Sequence, residues 1–190
     1  MGAGPATTLG KVLPGHVLQM RACDADAYRY VKVWNEMKMQ PLVVTEFCTF
    51  ENASQWIHDK FDLVFQQNAL DHAHDVPKAI DAMLELVAPG GLMVLFNMAE
   101  EATRQKYWGM HQWNFRMGDA GSFKVQGPGQ NGGITNINKR VGERGWMVRA
   151  ASRDQRNGMF WCPYRPKDCL QIVFSKSKEA TAKKAQLPIK

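Results

Sequence analysis

No apolar run in this 190-residue chain approaches the eighteen or so residues that cross a bilayer, so no segment is a candidate transmembrane helix. The opening Met1-Gly2-Ala3-Gly4-Pro5 has no basic region followed by an apolar stretch, so no signal peptide is visible. Cysteine is sparse, with Cys23, Cys48, Cys162 and Cys169 scattered and never in C-x-x-C spacing. No His/Cys cluster has zinc-ligand spacing either. The expectation is therefore four reduced thiols, no metal site, no membrane association and a cytoplasmic location. Internal repeats are absent. Hydrophobic residues make up 45% of the chain and charged residues 22%, the balance of a globular domain with a substantial core.

The net charge of +6 raises an anionic partner such as nucleic acid. Its distribution argues otherwise. From Ser175 to Lys190 five lysines face one glutamate, which leaves only +2 for the other 174 residues. A polar, lysine-bearing tail reads as solvated and disordered rather than as a reader of nucleic acid.

Apolar strand-like runs alternate with helix-like segments. Val17 to Cys23 reads as a strand ending at Asp24. Asp26 to Met39 reads as a helix with Tyr30, Val33, Trp34 and Met37 on one face, stopped by Pro41. Leu42-Val43-Val44 begins a second strand and Phe61 to Phe65 is a third. A helix follows, capped by Asp75, with Pro77 in its first turn and Val76, Ile80, Met83, Leu84 and Val87 as its stripe. Pro89-Gly90-Gly91 ends it, and Leu92 to Phe96 is a fully apolar strand. This rhythm indicates an α/β fold with a parallel sheet covered by helices on both faces. Beyond Asn97 the rhythm breaks. Glu100 to Tyr107 reads as helical. Gly118 to Gly133, with six glycines and a proline, reads as a long loop. Trp146 to Ala151 and Leu170 to Phe174 read as two later strands joined by an irregular stretch.

Two places carry chemistry. Gly2-Ala3-Gly4 forms a turn through which a backbone can approach a ligand closely. Asp24, at the end of the next strand, can accept hydrogen bonds from ribose hydroxyls. The second place is Asn68-Ala69-Leu70-Asp71-His72, a polar turn at the carboxyl end of a strand, where ligands bind in open α/β sheets.

The ordered set of G-A-G-P, strand-end aspartate, F-D-L-V with N-A-L-D-H, and A-P-G-G-L resembles the class I S-adenosylmethionine-dependent methyltransferases. It looks closest to small bacterial-type members that also carry G-x-H-Q-W-N-F, here Gly109 to Phe115. The resemblance covers residues 1 to about 175 and implies a Rossmann-like sheet with S-adenosyl-L-methionine as cofactor. It matches Gly2, Ala3 and Gly4 to the turn under the cofactor's methionine part. Asp24 matches the ribose-binding acid, with Ala25 near the adenine. Asn68, Ala69 and Leu70 match the turn lining the sulfonium side, and His72 a position that often faces the acceptor. Aligning back from Phe61 puts Thr49 where the family usually has an adenine-binding acid, with Phe50 and Glu51 following. His72 and His111 are the candidate general bases, since imidazole titrates near neutral pH. His111, between Trp108 and Trp113, also suits a packed aromatic cluster.

The family places an apolar strand immediately before G-A-G-P, central in the sheet. Only Met1 precedes Gly2 here. The expectation is a fragment without its first strand, with a methyltransferase domain over 1–175 and a basic tail over 176–190, unless another segment fills the slot. The expected acceptor is a small molecule. A non-catalytic remnant that binds partners is one rival. An RNA methyltransferase recruited by its tail is another, disfavoured because no N-P-P-Y or D-P-P-Y motif and no basic helix stripe occur. The oligomeric state is not encoded in any feature read here.

Overall fold

The computed structural model describes residues 1–7, 9–10, 12–152 and 168–176. The expected irregular linker (153–167) and most of the basic tail (177–190) lie outside the described residues. Two short strands, β1 (Val12–Leu13) and β2 (His16–Val17), form a hairpin ahead of β3 (Ala22–Asp24). The strand expected from Val17 onward is thus only three residues long, but it does end at Asp24. Helix α1 (Ala27–Glu36) follows, burying Ala27 and Trp34. It stops before Pro41 because Lys38 turns left-handed at φ 50°.

Strand β4 (Thr45–Phe47) pairs in parallel with β3, Ala22 opposite Thr45 and Asp24 opposite Phe47. It lies three residues beyond the expected Leu42–Val44, of which Leu42 and Val44 are exposed. Cys23 and Cys48, at the ends of these neighbouring strands, are joined by a disulfide with their Cα atoms 5.5 Å apart. That corrects the expectation of reduced thiols at both positions. The parallel ladder sets the two side chains at bridging distance.

A short helix α2 (Ala53–Trp56) leads into β5 (Phe61–Gln67) and then α3 (Val76–Glu85). Asp75 caps α3 by accepting from Lys78 N at 2.9 Å, and Val76, Ile80, Met83 and Leu84 are buried as their spacing predicts. Strand β6 (Val87–Met98) runs parallel to β5 and begins earlier than expected. Pro89-Gly90-Gly91 lies inside it, at a register shift between Phe61 and Leu63. A Cβ on Gly91 would meet the Phe61 and Asp62 carbonyl oxygens at 2.9 Å, so glycine permits the close passage there.

The second half adds α4 (Glu101–Arg104), shorter than read from sequence, and β7 (Asn114–Met117). Then come β8 (Phe123–Gln126), β9 (Ile134–Asn136), α5 (Ile137–Gly142), β10 (Trp146–Ser152) and β11 (Cys169–Lys176). Strand β8 falls in the stretch read as a loop. Phe123 and Val125 alternate inward, fully buried, and β7, β8 and β9 form an antiparallel sheet.

The main sheet has the order β10-β11-β6-β5, with β11 antiparallel to both neighbours, and β3-β4 forms a separate pair. Between the edges of β3 and β5 lies a cleft of about 1040 Å³, lined by Arg21 to Cys23 and by Phe61 to Phe65 among others. Met1, Gly2 and Ala3 close its upper end. The Met1 amino group donates to Phe65 O at 3.0 Å and Ala3 N donates to Cys23 O at 3.2 Å. Among the described residues no strand pairs with the facing sides of β3 and β5, and His16 and Val17 of β2 also line the cleft.

Candidate active site

The carboxyl ends of β3 and β5 face each other across the Met1–Ala3 bridge, and the candidate residues gather there. Gly2 is left-handed at φ 59°, and a Cβ added to it would fall 2.6 Å from the Ala69 Cβ and 3.0 Å from the Phe50 ring. Only glycine allows this packing of the first turn against Ala69. Gly4 is also left-handed, at φ 64°, but nothing crowds it.

Asp24 is half-buried and already bonded. Its Oδ2 accepts from Gly4 N at 3.0 Å, and its Oδ1 accepts from Asp26 N at 2.9 Å and from the Tyr30 hydroxyl at 3.0 Å. Burial, and then the Asp24 charge, push the Tyr30 phenol above its ordinary pKa, so the hydroxyl keeps its proton as donor. A carboxylate offers about four lone-pair sites, so one position on Oδ2 remains for a ligand hydroxyl. Ala25 beside it is exposed. The Met1 amino group has its pKa lowered to about 6 by burial, offset in part by the Asp24 charge.

Asn68, Ala69 and Leu70 make the turn after β5, with Asn68 left-handed at φ 46°. A residue missed from sequence holds it. Gln66 is fully buried, and the amide orientation that satisfies the turn aims its Oε1 at the N–H groups of Asn68, Ala69 and Leu70, at 3.0, 2.7 and 3.0 Å. A glutamine near the end of β5 was its only sequence signal. Thr49 has a buried hydroxyl without a hydrogen-bond partner, and Phe50 packs against the core beside it. Glu51 is committed elsewhere, accepting from Asp75 N at 3.0 Å.

One turn beyond Leu70, the fold joins residues forty positions apart. His111 Nδ1 lies 2.6 Å from the buried Asp71 Oδ2, and His72 Nε2 lies 3.3 Å from His111 Nδ1. Trp113 Nε1 donates to Ala73 O at 2.8 Å and Gln112 N donates to Asp71 O at 3.3 Å, stapling the two segments together. Trp113 is buried while Trp108 is exposed, so His111 sits at the rim of the aromatic cluster rather than inside it. Asp71 stood in the recognised motif without an assigned role.

A mixed α/β sheet, parallel where β5 meets β6 rather than throughout as the strand rhythm suggests, with a glycine turn, a strand-end carboxylate and a polar turn at one edge defines a nucleoside-binding α/β domain. The sequence profile of the methyltransferase domain family matches residues 1–95, and the chain belongs to that family. The solved structure of the selenomethionine-substituted CurJ carbon methyltransferase is similar at 13% identity. The match covers 88% of this chain and 43% of that one, with a TM-score of 0.56. The CcbJ methyltransferase from Streptomyces caelestis shares 13% identity over 84% of this chain and 80% of its own, with a TM-score of 0.50. An S-adenosylmethionine-dependent methyltransferase from Clostridium acetobutylicum shares 12% identity over 82% and 74%, with a TM-score of 0.46. Among curated proteins none matches the sequence significantly. At these identities the structural likeness shows the fold, the Rossmann-like sheet of methyltransferases.

S-adenosyl-L-methionine is the methyl donor of enzymes with this fold, and the residues present fit it. Gly2 carries no side chain where it passes Ala69 and Phe50, and Asp24 keeps one acceptor position.

Proposed function

We propose that this domain transfers a methyl group from S-adenosyl-L-methionine to an oxygen or nitrogen of a small-molecule acceptor. One observation carries the reading. The Gly2–Gly4 turn, Asp24 and the Asn68–Leu70 turn meet at one sheet edge, and the Asp71-His72-His111 cluster begins at the very next residue. The cofactor, when bound, supplies an electrophilic methyl on a good leaving group. The chain's own work is positional. Asp24 and Gly4 hold the ribose side. Gln66 fixes the turn that lines the sulfonium side. Asp71 orients His111 through Nδ1, leaving its other ring nitrogen to accept a proton from the acceptor. In-line attack needs this alignment more than it needs any covalent help from the protein.

Calorimetric titration with S-adenosylhomocysteine tests the cofactor half. Transfer of labelled methyl to a panel of hydroxyl and amine compounds tests the rest. Binding without any transfer would favour a second reading, a cofactor-fold module that binds partners. The interrupted sheet is the observation on its side, because among the described residues no strand pairs with the facing sides of β3 and β5, which leaves room for another strand.

A further inference from the structure

We propose that Asp71, His72 and His111 form a binding site for a divalent transition-metal ion, with zinc the best match. Three ligand atoms of the right chemistry converge: Asp71 Oδ2, His72 Nε2 and His111 Nδ1 all lie within 4.8 Å of one another. Their separations are 2.6 Å (Asp71 to His111), 3.3 Å (His72 to His111) and 3.6 Å (His72 to Asp71). Ligands about 2.0–2.1 Å from a tetrahedral ion stand roughly 3.3–3.4 Å apart. Two of the three edges already match that spacing. The third is a hydrogen bond that opens by about 0.7 Å as a metal replaces its proton.

Hydrogen bonding alone satisfies the cluster poorly. A neutral His111 has one proton to place, and if Nδ1 gives it to Asp71, His72 Nε2 faces the same N–H from the side. A proton on His72 Nε2 instead points at a nitrogen that is already a donor. Asp71 is only 2% exposed, and among the described residues its ion-pair partners are these two imidazoles. A divalent ion resolves all three at once, since each group then presents a lone pair to it. The scaffold is rigid, because the Trp113–Ala73 and Gln112–Asp71 bonds lock the segments together.

Both histidines are part exposed, at 32% and 27% of the side chain, so the side facing solvent stays open. Three protein ligands with an open fourth position is the pattern of catalytic rather than structural zinc. Resting on the methyl-transfer reading for its role, though not for the binding itself, the site would take a hydroxyl-bearing acceptor in that position. A metal-bound hydroxyl gives up its proton more readily than a free one.

The test is titration of the full chain, freed of metal with a chelator, with zinc chloride by calorimetry and with cobalt chloride by visible absorption. The expected result is one equivalent per chain, with the strong visible bands of four-coordinate cobalt. His72→Gln and His111→Gln should each weaken zinc binding by at least about a hundredfold, the upper end of the cost of outer-shell changes. The exposed His58→Gln should leave it unchanged. Circular dichroism of each variant separates loss of a ligand from loss of fold. Absence of stoichiometric binding in the folded wild type, or binding that survives both ligand changes, overturns the proposal. S-adenosylhomocysteine titrated without metal reports on the cofactor reading separately, so either can fail alone.

Discussion

Replacing Asp24 by alanine removes a carboxylate that does two jobs, and the two can be measured apart. It accepts from Gly4 N, Asp26 N and the Tyr30 hydroxyl at 2.9–3.0 Å, so it ties the first turn and the start of α1 to the end of β3. Hydrogen bonds to a charged group contribute about 1.5–3 kcal/mol each, and water reaching this half-buried site recovers part of the loss. A destabilisation of about 2–4 kcal/mol is therefore expected, or roughly 5–15 °C in Tm for a chain of this size. Binding of S-adenosylhomocysteine should weaken by about ten- to a hundredfold as well, because a ribose hydroxyl loses its charged acceptor. Tyr30→Phe separates the two effects. It removes one internal bond, costing about 1 kcal/mol, and frees a position on Oδ1, so cofactor affinity should hold or rise. Thermal melts with and without ligand, alongside calorimetry, supply both readouts. An Asp24→Ala chain that melts and binds like the wild type would refute the role assigned to this residue.

Gly2→Ala should cut S-adenosylhomocysteine affinity by about tenfold or more, since the new methyl meets Ala69 at 2.6 Å, whereas Gly4→Ala, strained only by its φ of 64°, should cost less; calorimetry on both compares crowding with strain. Gln66→Leu leaves the Ala69 and Leu70 N–H groups without their buried acceptor and should destabilise by roughly 2–6 kcal/mol in urea unfolding, with wild-type stability the result that rejects the turn assignment. Removing the disulfide with Cys23→Ala and Cys48→Ala opens a 25-residue loop and should lower stability by about 3 kcal/mol, read as a drop of roughly 6–12 °C in Tm. The buried Met1 amino group has a pKa near 6 in the folded chain against 8.0 when free. Stability is therefore expected to be full above pH 8 and to fall by about 2–3 kcal/mol as pH drops from 8 to 6, where the unfolded chain takes up a proton that the folded one does not, and unfolding curves across that range check it.

Local periodicity made the strongest elements legible. The Asp75 cap, the β5 and β11 runs and the α3 stripe as far as Leu84 lie where their spacing puts them, whereas Val87, read as the stripe's last member, begins β6. The Gly118–Gly133 stretch concealed β8, since its glycines outweigh the short Phe123–Val125 alternation that packs the strand. Leu42–Val44 is more apolar than Thr45–Phe47, yet the ladder with β3 selects the latter. Asp24 and the Asn68–Leu70 turn were legible as strand-end positions because β3 and β5 stop there. The disulfide and the Asp71-His72-His111 cluster were not. Cys23 and Cys48 lie 25 residues apart and His72 and His111 39 apart, with no motif linking them, so only the tertiary fold brings them together.

The split between β3 and β5 places the two halves of the proposed cofactor cradle on different sheets. Asp24 belongs to the smaller sheet and the Asn68–Leu70 turn to the larger, joined along this seam by the narrow strap of Met1 to Ala3. A ligand that touches both sides then acts as a rivet across the seam. Its binding free energy resists separation of the sheets, and the gain grows with the logarithm of ligand concentration. Saturating ligand should thus raise the temperature at which the seam opens.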